Sequence, residues 1–328
     1  MNTAAKLSAY GVALALVAGG AWAVGSAVGP LSVEATGHDS SGAEGTGHGD
    51  DHSGAVAGAE QDQPAGLASS RGGYTLRPVD TTLTAGATDS FSFRITGPDG
   101  AAVTAFDVEH DKRMHLIAVR RDTAGFRHVH PEMAADGTWT VQLPVSGAGS
   151  YRVFADFKPT GGEATILGAD VTAAGQFEPE QYTPSRVAQV DGFEVRLDGE
   201  LKPGKASPVL LTVSRGGAPV TDLEPYLGAY GHLVALRQGD LAYLHVHPEG
   251  TPGDGKTVSG PEIAFVAEVP SAGGYRLFLD FQHGGVVRTA EFTVTTEGTA
   301  EHQPAPTSTA PSAPAEDGHG EEEEHGHG

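Results

Sequence analysis

GSYRVFADF, at residues 149–157, places Tyr151, Val153, Ala155 and Phe157 on one face and Arg152, Phe154 and Asp156 on the other. That is the period of two of a pleated strand, with the first set turned to a core. The stretch returns as GYRLFLDF at 274–281. Outward from it, MHLIAVRRD (114–122) has a counterpart in GHLVALRQG from Gly231, and FRHVHPE (126–132) returns as YLHVHPE (243–249). Val103-Thr104 precedes His115 by the interval at which Val220-Thr221 precedes His232. An internal repeat of about 117 residues is a duplicated domain, too long for a solenoid unit.

Each copy divides into seven short strands rich in Val, Phe, Tyr and Thr, parted by Gly, Pro and Asp turns. In the first copy they are Gly73–Val79, Ser90–Thr96, Met114–Arg120, Phe126–His130, Thr138–Leu143, Ser150–Phe157 and Ala164–Thr172. In the second they are Gly192–Leu197, Pro208–Ser214, Gly231–Arg237, Leu241–His247, Glu262–Val269, Gly274–Phe281 and Val286–Val294. Seven strands without a helical period predict an all-β chain of two tandem immunoglobulin-like antiparallel sandwiches. Module 1 takes residues 73–175 and module 2 takes 183–296. The Gly- and Pro-bearing stretch 173–186 joins them, and the pattern predicts that each folds separately.

The flanks are of another kind. Tyr10 to Gly29 is uncharged and long enough to cross a bilayer as a helix. Ala21-Trp22-Ala23 resembles a leader cleavage site, but the uncharged run continues to Val33, which favours a retained anchor. Residues 1–30 are thus expected to hold the protein at the extracytoplasmic face of a membrane, or to leave it secreted if cleaved. Segments 31–72 and 297–328 lack large apolar runs and are expected to be a disordered acidic linker and tail.

Lys and Arg total 20 against 42 Asp and Glu, a net charge of −22. No base lies between Lys6 and Arg71 or after Arg288, so the excess sits largely in the flanks. This balance repels a phosphate backbone and argues against nucleic acid as a partner. The chain has no cysteine, which excludes disulfides, Fe–S clusters, Cys zinc sites and thiol nucleophiles. No protein partner is specified.

Of 15 histidines, six recur pairwise in the modules: His115, His128 and His130 with His232, His245 and His247, each set spaced H-x12-H-x-H. A two-residue turn at Asp122-Thr123 sets His115 opposite His130, and one at Gly239-Asp240 sets His232 opposite His247. His128 and His245 fall two residues along on the same faces. Directly opposed Cβ atoms lie about 5 Å apart, so three imidazoles in this triangle can reach one ion. The expectation is a divalent metal, copper or zinc, in each module. Asp156, Asp280, His110, Met133 and His283 are candidate additional donors. The bland alternative, tolerated strand histidines packed on Phe126 or Tyr243, treats the repeated spacing as incidental. Histidines of the acidic flanks are solvated by default and would hold cations loosely.

At these residues the chain resembles a group of exported, chiefly actinobacterial proteins with HL…HxHP and YRxFxDF motifs. It is more distantly similar to small immunoglobulin-like extracytoplasmic copper-binding modules. The resemblance covers residues 73–296 and implies export and metal handling. The Met-beside-His pattern of periplasmic copper chaperones is absent from module 2. Two other functions fit parts of the pattern. Gly239-x5-His245-x-His247 matches the start of a cupin motif, but Tyr275 stands where a histidine is needed. A non-catalytic surface adhesion protein explains the tandem sandwiches and tether. No catalytic Ser-His-Asp or paired-carboxylate arrangement is recognisable, so no enzyme activity is expected.

Overall fold

The computed structural model describes residues 63–296 except His245, and the side chain of His247 is not described. Candidate anchor 1–30, tail 297–328 and most of linker 31–72 lie outside the described residues. No helix among the described residues is long and apolar enough to cross a membrane.

Module 1 runs β1 (Ser70–Arg71), β2 (Tyr74–Pro78), β3 (Thr82–Leu83), β4 (Thr88–Thr96), β5 (Phe106–Asp107) and β6 (His115–Arg120). It continues β7 (Arg127–Val129), β8 (Glu132–Met133), β9 (Thr138–Pro144), β10 (Gly149–Pro159) and β11 (Thr165–Ala173). One sheet has the order β1-β2-β4-β9-β8 and the other β3-β11-β10-β6-β7. Leu76, Phe93, Ile95 and Trp139 from the first sheet meet Leu116, Val153, Phe157 and Leu167 from the second in one buried cluster. Module 1 is therefore a two-layer sandwich.

Module 2 runs β12 (Val187–Val190), β13 (Phe193–Asp198), β14 (Ala206–Arg215), β15 (Ala218–Pro219), β16 (His232–Arg237) and β17 (Tyr243–Leu244). It ends with β18 (Val246–Pro248), β19 (Glu262–Glu268), β20 (Gly273–His283) and β21 (Val286–Thr296). Its sheets, β12-β13-β14-β19-β18 and β17-β16-β20-β21, repeat the order of module 1 apart from the parallel edge strand β3. Its own core gathers Phe193, Val195, Phe265, Leu277, Phe281 and Phe292.

Two details mark the immunoglobulin type. In both modules the central strand begins with a tyrosine whose hydroxyl reaches back over the corner before it. Tyr151 donates to the Gly147 carbonyl at 2.8 Å, and Tyr275 to that of Ser271 at 2.6 Å. This is the tyrosine corner of such sandwiches. The strand order is also theirs, with β10 and β20 each paired between two antiparallel neighbours.

The modules are not beads on a string. All six residues of β6 are buried, including those facing away from the core of module 1. Ile117, Val119, Phe126, Phe154 and Ile166 pack against Val234, Leu236, Leu241, Tyr243 and Phe278 in a third apolar cluster. Phe126 stacks on Phe278 at 4.0 Å between ring centroids and 5° between planes. The two sheets containing β6 and β16 thus face each other across the repeat. A strand buried on both faces reads as a continuous apolar run, and LIAV and LVAL after the first histidine of each copy are such runs.

The linker boundary at residue 72 needs correction, because residues 65–68 are ordered between the modules. Ala65 pairs with Tyr243 of module 2, while the Gly66 amide donates to the Ile166 carbonyl of module 1. The buried guanidinium of Arg152 binds the carbonyls of Gly66 (2.9 Å) and Leu67 (2.6 Å). Those acceptors replace the water that Arg152 loses on burial, which is what orders the segment.

Candidate metal centre

The outward faces of β6 and β16 are apolar at one end and carry His115 and His232 at the other. Histidine alternates with Ile117 and Val119 on β6, and with Val234 and Leu236 on β16, so sheet-on-sheet packing brings both histidines to one end of the interface. The rings of His115 and His232 lie parallel, 5.7 Å apart with 8° between planes.

Strand β7 supplies the next two. Leu116 pairs with Val129 and Ile117 with His128, the register expected from a two-residue turn. His115 and His130 follow one step beyond, their ring centroids 5.1 Å apart. In module 2 the hairpin starts in the expected register, with Leu236 opposite Tyr243 and Ala235 opposite Leu244. The chain crosses to the other sheet, where His247 pairs with Val266 of β19. Its backbone therefore pairs with β19 and not with His232, while the His247 side chain lies outside the described residues. His245 lies outside the described residues. Among the described residues, a histidine cluster gathers at the module interface. Ring nitrogens of His115, His128 and His130 lie within 4.8 Å of one another, as do donor atoms of His128, His232 and Asp280.

The hydrogen bonds assign the tautomers. His128 Nδ1 lies 2.7 Å from Asp280 Oδ2 across the interface. A carboxylate oxygen accepts, so this nitrogen donates. His115 Nε2 lies 3.0 Å from the Glu109 carbonyl oxygen, which also only accepts. The remaining nitrogens, His115 Nδ1 and His128 Nε2, face each other at 3.1 Å. Between them can sit a proton, which makes one ring cationic, or a metal ion. Tetrahedral metal–nitrogen bonds of about 2.0–2.1 Å give ligand edges of about 3.3 Å, close to that spacing.

Burial opposes placing that charge on His115. Desolvation, assisted by repulsion from neighbouring imidazoles, lowers the pKa of His115 to about 4 and that of His130 to about 3. It carries His232 well below the ordinary histidine value. His130 Nε2 and His232 Nδ1 are buried without any hydrogen-bond partner. A buried polar atom left unpaired costs about 1–3 kcal/mol, so a ligand that engages both nitrogens is favoured here. Asp280 is held from behind by Thr289 Oγ1, which donates to its Oδ1 at 2.6 Å.

The other candidates separate. His110 stands at the rim, exposed, its ring 5.7 Å from that of His232 and 6.2 Å from that of His115. Asp156 is the register partner of His115 on β10 and acts electrostatically on His128; burial raises its pKa to about 7. Met133 does not join, because it packs against the core of module 1. His283 lies away from the cluster, paired with Asp222 at 3.2 Å and packed on Phe193. Tyr226, missed by sequence reasoning, lies 6.3 Å from the His130 ring. Burial, with repulsion from Asp280, raises its pKa to about 12.

No curated protein matches the chain. Among solved structures, the Escherichia coli adhesin FdeC is similar at 13% identity over 69% of this chain and 64% of its own, with a TM-score of 0.22. Yersinia pseudotuberculosis InvD is similar at 14% identity over 69% of this chain and 58% of its own, with a TM-score of 0.23. A Salmonella alpha-2-macroglobulin is similar at 15% identity and a TM-score of 0.24, over 71% of this chain and 15% of its own. The chain thus spans less than two thirds of the length of each of these proteins. A family model described as a domain of unknown function (DUF8832) matches residues 69–175 and again 188–298, and the chain belongs to that family, carrying its domain twice.

Proposed function

We propose that the protein is a non-catalytic, extracytoplasmic metal-binding protein that holds copper or zinc at the interface of its two modules. The carrying observation is the pair of inward nitrogens, His115 Nδ1 and His128 Nε2, whose outer nitrogens are tied to Glu109 and Asp280. Ligand imidazoles are commonly oriented by such outer partners. His130 completes the triad with its unpartnered Nε2, and all-imidazole donors suit zinc or copper. Here the ion would be gripped by module 1 while Asp280 of module 2 orients one of its ligands.

A second reading, a non-catalytic cell-surface interaction protein, is favoured by the tandem immunoglobulin-type sandwiches, an architecture common in cell-surface domains. Isothermal titration of the full chain with Zn(II) and Cu(II), beside the His115→Ala/His130→Ala variant, separates the two. Metal binding predicts a tight event that the variant loses, beside the weak association at the acidic flanks that parent and variant share. Identical titrations of parent and variant would refute it and leave the interaction reading.

A further inference from the structure

We infer that the centre is built for two ions bridged by His128, an inference that rests on the metal-binding reading above. The two donor triads, His115–His128–His130 and His128–His232–Asp280, share one residue only. That residue has two donor atoms, and they face opposite ways. Nε2 faces His115 Nδ1 at 3.1 Å, and Nδ1 faces Asp280 Oδ2 at 2.7 Å.

The buried nitrogens supply an independent observation. Each triad contains one that lacks a partner, His130 Nε2 in the first and His232 Nδ1 in the second. One ion in the first triad satisfies His130 and leaves His232 orphaned, and the reverse holds for the second. Two ions satisfy both. Each triad is also braced from outside, the first by the Glu109 carbonyl on His115 and the second by Thr289 on Asp280.

The proton balance follows from the contacts. The neutral His128 ring carries one N–H, directed at Asp280, and a second ion takes its place. One proton is released to solvent, and the ring becomes an imidazolate bonded through both nitrogens. Asp280 Oδ2 changes from hydrogen-bond acceptor to ligand, drawing back from the 2.7 Å of a hydrogen bond. Metal–nitrogen bonds of about 2.0 Å on either side of the ring place the ions about 6 Å apart. The bridged pair belongs to both modules, since His128 lies on β7 while His232 and Asp280 lie on β16 and β20.

The test loads the full chain with Cu(II), then compares total copper with spin-counted electron paramagnetic resonance. Wild type should bind two more tight copper ions than His128→Ala, and those two should be magnetically coupled, so that detected spins fall short of copper. Neither His130→Ala nor His232→Ala removes one of the hydrogen bonds that tie His115, His128 and Asp280 in place; each should lose one ion and restore full spin intensity. One tight ion in wild type, uncoupled and lost in His128→Ala, would overturn the bridge and leave single-site metal binding standing. Equal tight copper in wild type and in both His128→Ala and the His130→Ala/His232→Ala double variant would overturn the bridge and the metal reading together.

Discussion

Replacing Phe278 by alanine tests whether the two sandwiches are energetically one body. Phe278 is 1% exposed and stacks on Phe126 of the other module at 4.0 Å. Phe-to-Ala truncation in a packed core costs about 3–5 kcal/mol through lost transfer energy and the cavity left behind. The ring stack itself accounts for about 0.5–1.5 kcal/mol of that. Trp139, buried in the core of module 1, provides a reporter on the module that the mutation does not touch. In urea, with a slope of about 2 kcal/mol/M, the Trp139 fluorescence midpoint of the full chain should fall by about 1 M or more. A midpoint that stays in place while far-UV circular dichroism shows module 2 destabilised would refute coupling through the apolar interface.

Acid should weaken the metal-free protein. His115 and His130 have folded-state pKa values of about 4 and 3, below the unfolded value near 6.5, so between these limits the unfolded chain binds more protons and stability falls as pH drops. His115 alone contributes about 3 kcal/mol at 1.36 kcal/mol per pKa unit, while Asp156, raised to about 7, acts in the opposite sense and stabilises the fold as pH falls through that value; chemical denaturation at pH 7 and 4.5 measures the net loss, and equal or greater stability at 4.5 would refute it. Gly66→Ala should cost about 1–3 kcal/mol, because Gly66 has φ +75° and a Cβ there would lie 2.6 Å from the Phe154 ring. An unchanged melting temperature would show that residues 65–68 do not strap the modules.

Much of the fold could be read from the sequence because strand alternation and duplication are local signals. GSYRVFADF divides into core and outward faces as its period implies, with Tyr151, Val153, Ala155 and Phe157 in the core of module 1 and Phe154 outside it. The docking of the modules was written in the same strands, since Ile117, Val119, Phe126 and Phe154 are apolar on the side a solitary sandwich would give to water. Reading each copy as self-sufficient missed it.

The candidate site was legible residue by residue but not in its assembly. Hairpin register put His115, His128 and His130 on one face, and strand alternation put Asp280 on the outward side. Nothing local shows that His232 and Asp280 would meet the histidines of the other copy, since that depends on how two sheets pack. Nor does YLHVHPE reveal that Tyr243 and Leu244 pair with β16 while Val246 to Pro248 pair with the other sheet, when FRHVHPE stays with β6 as far as Val129.

Crystals of the full chain grown with Zn(II) and measured at the zinc absorption edge test the central claim most directly. The account predicts an anomalous peak at the module interface, about 2.0–2.1 Å from His128 Nε2 and His115 Nδ1, with His130 turned toward it. Zinc peaks confined to surface carboxylates and flanking histidines, with His115 Nδ1 and His128 Nε2 still facing each other across an empty 3.1 Å gap, would contradict it.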